Sequence, residues 1–194
     1  MKKYIKNLKA GDVIDAKITH EEPFGCFCDI GCGIISLLSI DCISVSRISH
    51  PKERFFTGQY IRAIVTRTVR HDGRISLTHK ELLGSWEENA KYFSAGQTVS
   101  GIVRSIEAYG VFVELAPNLA GLAEPRENVR VGQQASVFIK SILKDKMKIK
   151  LIIIDCFESN YIPKIKYYNN ADIISEWEYS PKDCRKRITT RFCG

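Results

Sequence analysis

The sequence predicts an all-β protein of two tandem, closed, five-stranded barrels, joined by a short linker helix and followed by a small C-terminal extension. Three observations support this fold class: an internal repeat, apolar residues that alternate with period two, and the lack of a long helical pattern inside either repeat unit. Five short strands without long helices favour a small barrel, because closure removes the exposed edges of a sheet. The chain of 194 residues accommodates two such domains.

The internal repeat matches in two blocks, each with its own constant offset along the chain. The matched pairs are Phe24 with Tyr109 and Phe27 with Phe112 in the first block, and Gly58 with Gly132 and Arg74 with Lys148 in the second. Between the blocks we align Gly33 with Gly121, which makes this turn longer in the second unit and the next connection much shorter. Length differences of this kind are typical of surface loops.

The repeat sets the expected segment boundaries. We expect the first barrel over residues 8–78, the linker helix over 79–93, the second barrel over 94–154 and the extension over 155–194. Within the extension, two alternating stretches at 162–167 and 177–179 are typical of a strand pair. We expect this pair to dock on the second barrel.

The linker carries a helical pattern. Thr78 and Glu81 resemble a helix capping box, and Leu82, Trp86 and Ala90 follow at helical spacing. An amphipathic helix normally faces its own core, so we expect this apolar stripe to pack against the barrels.

The charge of the chain favours a polyanionic partner. The net charge is +7, and residues 47–80 contribute +6 of it through eight basic and two acidic side chains. A concentrated basic segment attracts phosphate groups more strongly than the same charge scattered over the surface.

The cysteines indicate a reducing compartment rather than a disulfide framework. Seven cysteines stand at irregular spacing, and no signal segment or membrane-length apolar run is present. Cys26 and Cys28 align with inward-facing Val111 and Val113, so we interpret them as small core residues and expect no metal site. We expect a cytoplasmic protein.

The second strand of each unit carries aromatic residues out of phase with the core. Val111 and Val113 face inward, which places Phe112 on the outer face beside Glu114. Tyr109 reaches the same face if Gly110 permits a bend. Exposed aromatic rings on a small barrel are stacking platforms for bases, worth about 1–3 kcal/mol per base. The alternative is that these rings only cover the end of the barrel.

These residues resemble a known repeat. Phe24–Phe27 and Tyr109–Phe112, the Gly-Gln pairs before the fourth strands, and the 73–77 stretch are similar to the S-one (S1) RNA-binding repeat. This repeat is an OB-fold, found in bacterial small-subunit ribosomal protein S-one and appended to several ribonucleases. The resemblance covers residues 8–154, and parts of it are especially similar to the clostridia-like members of that ribosomal family.

The resemblance implies an RNA-binding face. Its aromatic positions are matched by Phe24, Phe27, Tyr109 and Phe112, whereas the family's histidine position holds Ser36 in the first unit and Glu124 in the second. We expect a carboxylate there to weaken binding by the second barrel. The positively charged candidates at the last turn are Arg70, Arg74, Lys144 and Lys148, with Arg47, His50 and Arg54 as weaker candidates in the long connection of the first barrel.

These observations predict a non-enzymatic protein that binds single-stranded RNA, messenger or ribosomal, with little sequence preference. The sequence shows no carboxylate cluster, no activated nucleophile and no glycine-rich phosphate loop, so we expect no catalysis and no cofactor. The resemblance places the protein in translation, with the small ribosomal subunit as a partner. Two alternatives remain at this stage: a protein-interaction module that docks to the ribosome, and an accessory RNA-binding part of a ribonuclease system.

Overall fold

A computed structural model describes residues 8–67 and 74–192 and divides the chain into two compact units. The first unit contains the described residues up to Leu83, together with Lys166–Glu178 and the described residues from Thr189 onward. The second unit contains Gly84–Ile165 and Tyr179–Ile188. None of the helices in the described ranges is long and apolar enough to cross a membrane.

The first unit is built around a closed barrel of five strands. They are β1 (Val13–Glu22), β2 (Gly25–Asp29), β3 (Ile35–Ser39), β4 (Tyr60–Arg67) and β5 (Ile75–Thr78), in the order β1-β2-β3-β5-β4. β3 and β5 pair in parallel, and the other neighbours are antiparallel. Alternate residues face the interior, where Ala16, Ile18, Cys26 and Leu38 are fully buried.

The second unit repeats this topology. Its strands are β6 (Thr98–Glu107), β7 (Gly110–Ala116), β8 (Leu119–Ala123), β9 (Gln134–Leu143) and β10 (Lys148–Phe157), in the order β10-β8-β7-β6-β9. The interior is lined by Val103, Val111, Val113, Val137 and Ile139. The predicted fold class of two five-stranded barrels is therefore confirmed.

The strand register corrects the repeat alignment. Phe27 pairs with Leu37, and Phe112 pairs with Leu122, so the offset of the first block continues unchanged through the third strand. Gly121 is therefore the counterpart of Ser36, and the alignment with Gly33 was wrong. A Cβ on Gly121 would lie 2.5 Å from Leu151 Cδ1, whereas Gly33 adopts a positive φ of 74° in a turn.

The corrected register shows how the connection between the third and fourth strands differs between the two units. Ser39 and Glu124 become equivalent positions at the ends of the third strands. The connection from Glu124 to Gly132 is still shorter than the one from Ser39 to Gly58, but by less than the alignment with Gly33 implied. The additional residues of the first unit form a loop that contains two short 3-10 helices, Ile40–Cys42 and Pro51–Glu53.

The linker is interrupted where a single helix was predicted. A 3-10 helix spans Lys80–Leu83, and α1 spans only Trp86–Ala90. Gly84 between them has φ +84°, which ends the first helix. Ser85 then caps α1, because its hydroxyl accepts from Glu88 N at 3.2 Å while the Glu88 carboxylate accepts from Ser85 N at 2.7 Å.

The C-terminal extension differs from the expected strand pair. β11 (Glu176–Glu178) pairs with β12 (Thr189–Arg191), and residues 162–167 form no strand. The extension was expected on the second barrel, but Lys166–Glu178 belongs to the first unit and only Tyr179–Ile188 to the second. Arg62 holds the segment Lys166–Glu178 in the first unit, because its guanidinium donates to the carbonyls of Asn169 at 2.8 Å and Ala171 at 3.2 Å. These contacts join residues that are far apart in the sequence, which a local pattern does not reveal.

Within the first unit, a buried histidine connects the barrel to this extension. His79 is completely buried, and its Nδ1 donates to the Ile43 carbonyl at 2.9 Å. The Tyr167 hydroxyl accepts from Arg62 N at 3.0 Å and faces His79 Nε2 at 3.3 Å. The neutral ring satisfies both contacts, since Nε2 accepts when Nδ1 carries the proton. Burial, helped by the nearby Arg54 charge, lowers the pKa of His79 to about 4, although its bond to the Ile43 carbonyl acts in the opposite direction.

We predict that the free energy of unfolding decreases as the pH falls from about 6.5 to about 4. In that window the unfolded chain binds a proton at His79 while the folded chain does not, which costs on the order of 3 kcal/mol in total. Urea denaturation at several pH values measures the effect. The control is His79→Asn, which keeps an amide donor but does not titrate, and its curve is expected to be flatter. Equal slopes for the two proteins would refute the assignment.

Candidate nucleic-acid interface

The first barrel exposes a pair of phenylalanine rings on one outer face. Phe24 lies in the turn between β1 and β2 and is 52% exposed, and Phe27 is half-buried on β2. Their ring centroids are 5.9 Å apart at an angle of 83°. Cys26 and Cys28 of the same strand are buried, which confirms that the aromatic residues occupy the opposite phase.

The second barrel repeats this arrangement. The Tyr109 and Phe112 centroids are 6.2 Å apart at 89°, and Tyr109 is 66% exposed. Val111 and Val113 are completely buried. The edge-to-face contact leaves the outer surface of each ring pair open to a flat partner such as a nucleobase.

A β-bulge brings a third ring to the first barrel. The register of β1 against β2 shifts between Ile18 and His20, so that His20 lies opposite Phe27. The two rings stack with centroids 6.4 Å apart at 19°, and His20 Nε2 contacts the Glu22 carboxylate at 2.7 Å. Sequence reasoning missed His20, because only the bulge places it on this face. The same position in the second barrel is Ser105, opposite Phe112.

Arg74 joins the aromatic cluster of the first barrel. Its guanidinium carbon lies 5.6 Å from the centroid of Phe27, in a cation–π geometry. An arginine held over an aromatic ring presents both a planar surface and a positive charge. The structure thus brings together Arg74, Phe24 and Phe27, as the sequence predicts. Arg70 lies outside the described residues.

The second barrel has a surface hollow of about 490 Å³ beside its ring pair. Lys148 and Lys150 stand on the outer face of β10, alternating with buried Ile149 and Leu151. Sequence reasoning identified Lys148 and missed Lys150, although the period-two pattern applies to both. The polar and aromatic residues that line the hollow are Tyr109, Phe112, Glu124, Lys140, Lys148 and Lys150.

Lys144 lies outside this hollow. Its ammonium group forms an ion pair with the Glu87 carboxylate of α1, and this contact raises the pKa of Lys144. The pair neutralises the positive charge locally, so Lys144 offers less attraction to phosphate than Lys148 does.

The three weaker candidates in the long connection have different positions. Arg54 is only 2% exposed, and its Nη2 donates to Ser44 Oγ at 3.2 Å, so the structure removes it from the surface. His50 caps the 3-10 helix Pro51–Glu53, where its Nδ1 accepts from Lys52 N at 3.2 Å. Arg47 is exposed, as a phosphate contact requires.

The two residues expected at the histidine position are not equivalent. Ser36 is completely buried in the first barrel and cannot contact a ligand on the outer face. Glu124 is exposed at the end of β8, with one carboxylate oxygen 3.6 Å from Lys140 Nζ. The true counterpart of Glu124 in the first barrel is Ser39, so only the second barrel has a carboxylate here.

A second carboxylate of this barrel is turned away from the surface. Glu114, expected beside Phe112 on the outer face, is 2% exposed and accepts from Arg104 Nε at 2.8 Å. Arg104 occupies the bulge of β6, where the register shifts between Val103 and Ser105. The buried ion pair keeps this negative charge away from the aromatic face.

The two cysteines of β2, Cys26 and Cys28, are buried in the interior of the first barrel. Burial raises the pKa of both the Cys26 and the Cys28 thiols to about 12, so they stay protonated at neutral pH. Among residues 8–67 and 74–192, no three histidine, cysteine or acidic side chains are grouped so that they could hold a metal ion. A protonated thiol packs as a small apolar group.

Paired rings and cations on the outer faces of two small barrels are the features of a nucleic-acid-binding protein of the OB-fold class. The family model described as "S1 RNA binding domain" matches residues 7–80. The first barrel therefore belongs to the S1 domain family, and the chain is an S1-type protein that resembles the bacterial ribosomal protein bS1.

The relatives extend this similarity over both barrels. The small ribosomal subunit protein bS1 homolog of Bacillus cereus is 31% identical over 185 residues, which cover 88% of this chain and 48% of that protein. The bS1 protein of Staphylococcus aureus is 32% identical over 77% of this chain and 41% of its own. One solved structure is that of a multidomain protein with nucleic acid binding domains from Streptococcus pneumoniae. The match covers 77% of this chain and 54% of the Streptococcus chain, at 18% identity and a TM-score of 0.34. The chain spans about half the length of the curated relatives that it matches.

We predict that Arg54→Ala lowers the free energy of unfolding by about 2–3 kcal/mol, because it removes a buried side chain and its charged hydrogen bond. Chemical denaturation measures this loss. The matched control is the exposed Arg47→Ala, which is expected to stay within about 0.5 kcal/mol of the wild type. If Arg54→Ala kept the stability of the wild type but bound RNA more weakly, Arg54 would face the ligand instead of the interior.

Proposed function

We propose that this chain binds single-stranded RNA on the outer faces of both barrels, with the bases stacked on the aromatic pairs. The observation that carries the proposal is the duplication of one geometry: an edge-to-face ring pair, with one ring just before the strand and one on it, at β2 and again at β7. A ring pair that only covered a barrel end would be buried on its outer side, whereas Phe24 and Tyr109 are more than half exposed. Stacking accepts every base, so the overall sequence preference is small.

Cations next to each ring pair supply the attraction for the RNA backbone. Arg74 lies over Phe27 in the first barrel, and Lys148 and Lys150 line the hollow beside Tyr109 and Phe112 in the second. Each phosphate that they neutralise releases counterions, so binding weakens as the salt concentration rises. The first barrel is the stronger binder for two reasons. His20 adds a third ring to its aromatic pair, and Ser39 stands where the second barrel has the Glu124 carboxylate.

The proposed cellular setting is translation in the cytoplasm, with messenger or ribosomal RNA as the ligand and the small ribosomal subunit as a partner. The names of the relatives, small ribosomal subunit proteins of the bS1 type, support this setting. We propose that the chain acts through binding, without a chemical step. RNA that stays intact during long incubation with the purified chain supports this, and degradation would favour a ribonuclease role.

We predict that Phe24→Ala/Phe27→Ala and Tyr109→Ala/Phe112→Ala each weaken binding of a short oligouridylate by about tenfold or more, with the larger loss in the first. Fluorescence anisotropy at two salt concentrations measures the affinity and its salt dependence. The matched control is Phe56→Ala, which removes an exposed phenylalanine outside both ring pairs. Absence of wild-type binding at low salt would overturn the proposal in favour of a protein-docking module.

The two lysines of the second barrel give a further prediction. Lys148→Ala should weaken RNA binding and reduce the salt dependence by about one phosphate contact, because Lys148 lines the hollow. Lys144→Ala should have a smaller effect, since Glu87 already neutralises Lys144. The same anisotropy titrations, in the Phe24→Ala/Phe27→Ala background, compare the two. A larger loss for Lys144→Ala would place the RNA path over the last turn instead of the hollow.

A further inference from the structure

The carboxylate of Glu124 is placed at the wall of an aromatic hollow, where it can meet the edge of a stacked base. β8 alternates between buried Leu119, Gly121 and Ala123 and partly exposed Ala120 and Leu122, so Glu124 continues the outer row. Leu122 pairs with Phe112 and Ala123 with Val111, and Tyr109, Phe112 and Glu124 line the same hollow. The hollow of about 490 Å³ is within the range of about 300–1,000 Å³ that small-molecule sites occupy, which is enough for one nucleoside.

The Glu124 carboxylate has one charged neighbour and is otherwise open to solvent. One oxygen faces Lys140 Nζ at 3.6 Å, and both side chains are more than half exposed. An ionised carboxylate has about four acceptor sites and no donor, so the one contact with Lys140 leaves acceptor sites for a ligand. Lys140, Lys148 and Lys150 line the same hollow and offset its repulsion of phosphate.

An acceptor with two adjacent oxygens distinguishes the four bases by their edges. Guanine presents two adjacent donors, N1–H and the N2 amino group, which match a carboxylate in a bidentate manner. Cytosine and adenine each present one donor beside a ring nitrogen acceptor, and uracil presents one donor between two carbonyl oxygens. Only guanine meets the carboxylate without placing an acceptor against it.

We propose that the second barrel selects guanine through Glu124, while the first barrel accepts any base. The inference rests on the proposed RNA binding and refines it for one site. The internal comparison supports it, because the counterpart of Glu124 in the first barrel is Ser39, which has no carboxylate. Glu124 is thus a specificity-determining residue, because both of its carboxylate oxygens find donors only on guanine.

The test compares short oligouridylates that carry one central guanosine, inosine, adenosine or cytidine with plain oligouridylate. Full-length Phe24→Ala/Phe27→Ala protein isolates the second barrel, and anisotropy gives the affinities. The guanosine oligonucleotide is expected to bind about tenfold more tightly than the uridine one. Inosine lacks only the N2 amino group, so it should lose most of that advantage.

The decisive variant is Glu124→Gln, which has nearly the same shape but turns one acceptor into a donor. It should lose the guanine preference and keep or increase its affinity for plain oligouridylate, a combination that a misfolded protein would not show. Equal affinities for all oligonucleotides, or a guanine preference that survives Glu124→Gln, would overturn the inference and leave RNA binding intact. Failure of every oligonucleotide to bind would overturn the proposed function as well.

Discussion

The close approach of the second and third strands is the constraint on which both candidate sites depend. Gly25 and Gly110 open β2 and β7 with φ of +152° and +159°, and a Cβ on either would lie within 2.4 Å of a carbonyl oxygen, that of Leu38 or Ala123. Because glycine has no side chain, the chain can turn sharply at these two positions, directly after Phe24 and Tyr109. As a result, two rings three positions apart share one face, which a regular strand would not allow.

The fold could be predicted because the patterns that identify its strands can be read directly from the sequence. Period-two alternation and an internal repeat identify the strands, and the out-of-phase aromatic residues at Phe27 and Phe112 identify the face. The parts that could not be predicted depend on register and on contacts between distant residues. Gly33 and Gly121 looked alike in the sequence, yet one serves a turn and the other makes room for Leu151. Likewise, His20 reaches the ring pair only through a bulge.

The basic side chains of the sequence have several different roles in the structure. The basic segment at residues 47–80 suggests one continuous patch, but Arg54 is buried and Arg62 binds the carbonyls of the extension. Arg74 alone among these three stands beside the exposed ring pair of the first barrel. Formal charge counts therefore overstate the attraction for a polyanion unless each guanidinium is placed in the structure. The second barrel, with its alternating Lys148 and Lys150, presents its cations more directly.

Arg62 and His79 bind residues 167–171 to the first barrel, so the first unit can be completed only late in synthesis. The first barrel precedes the second in the chain, yet the segment that covers this side of it is synthesised after the second barrel is complete. During synthesis, the nascent first unit carries Ile64 and Leu82 without the Ile174 and Phe192 side chains that later pack against them. This apolar flank stays exposed to solvent until the residues up to Phe192 have emerged from the ribosome.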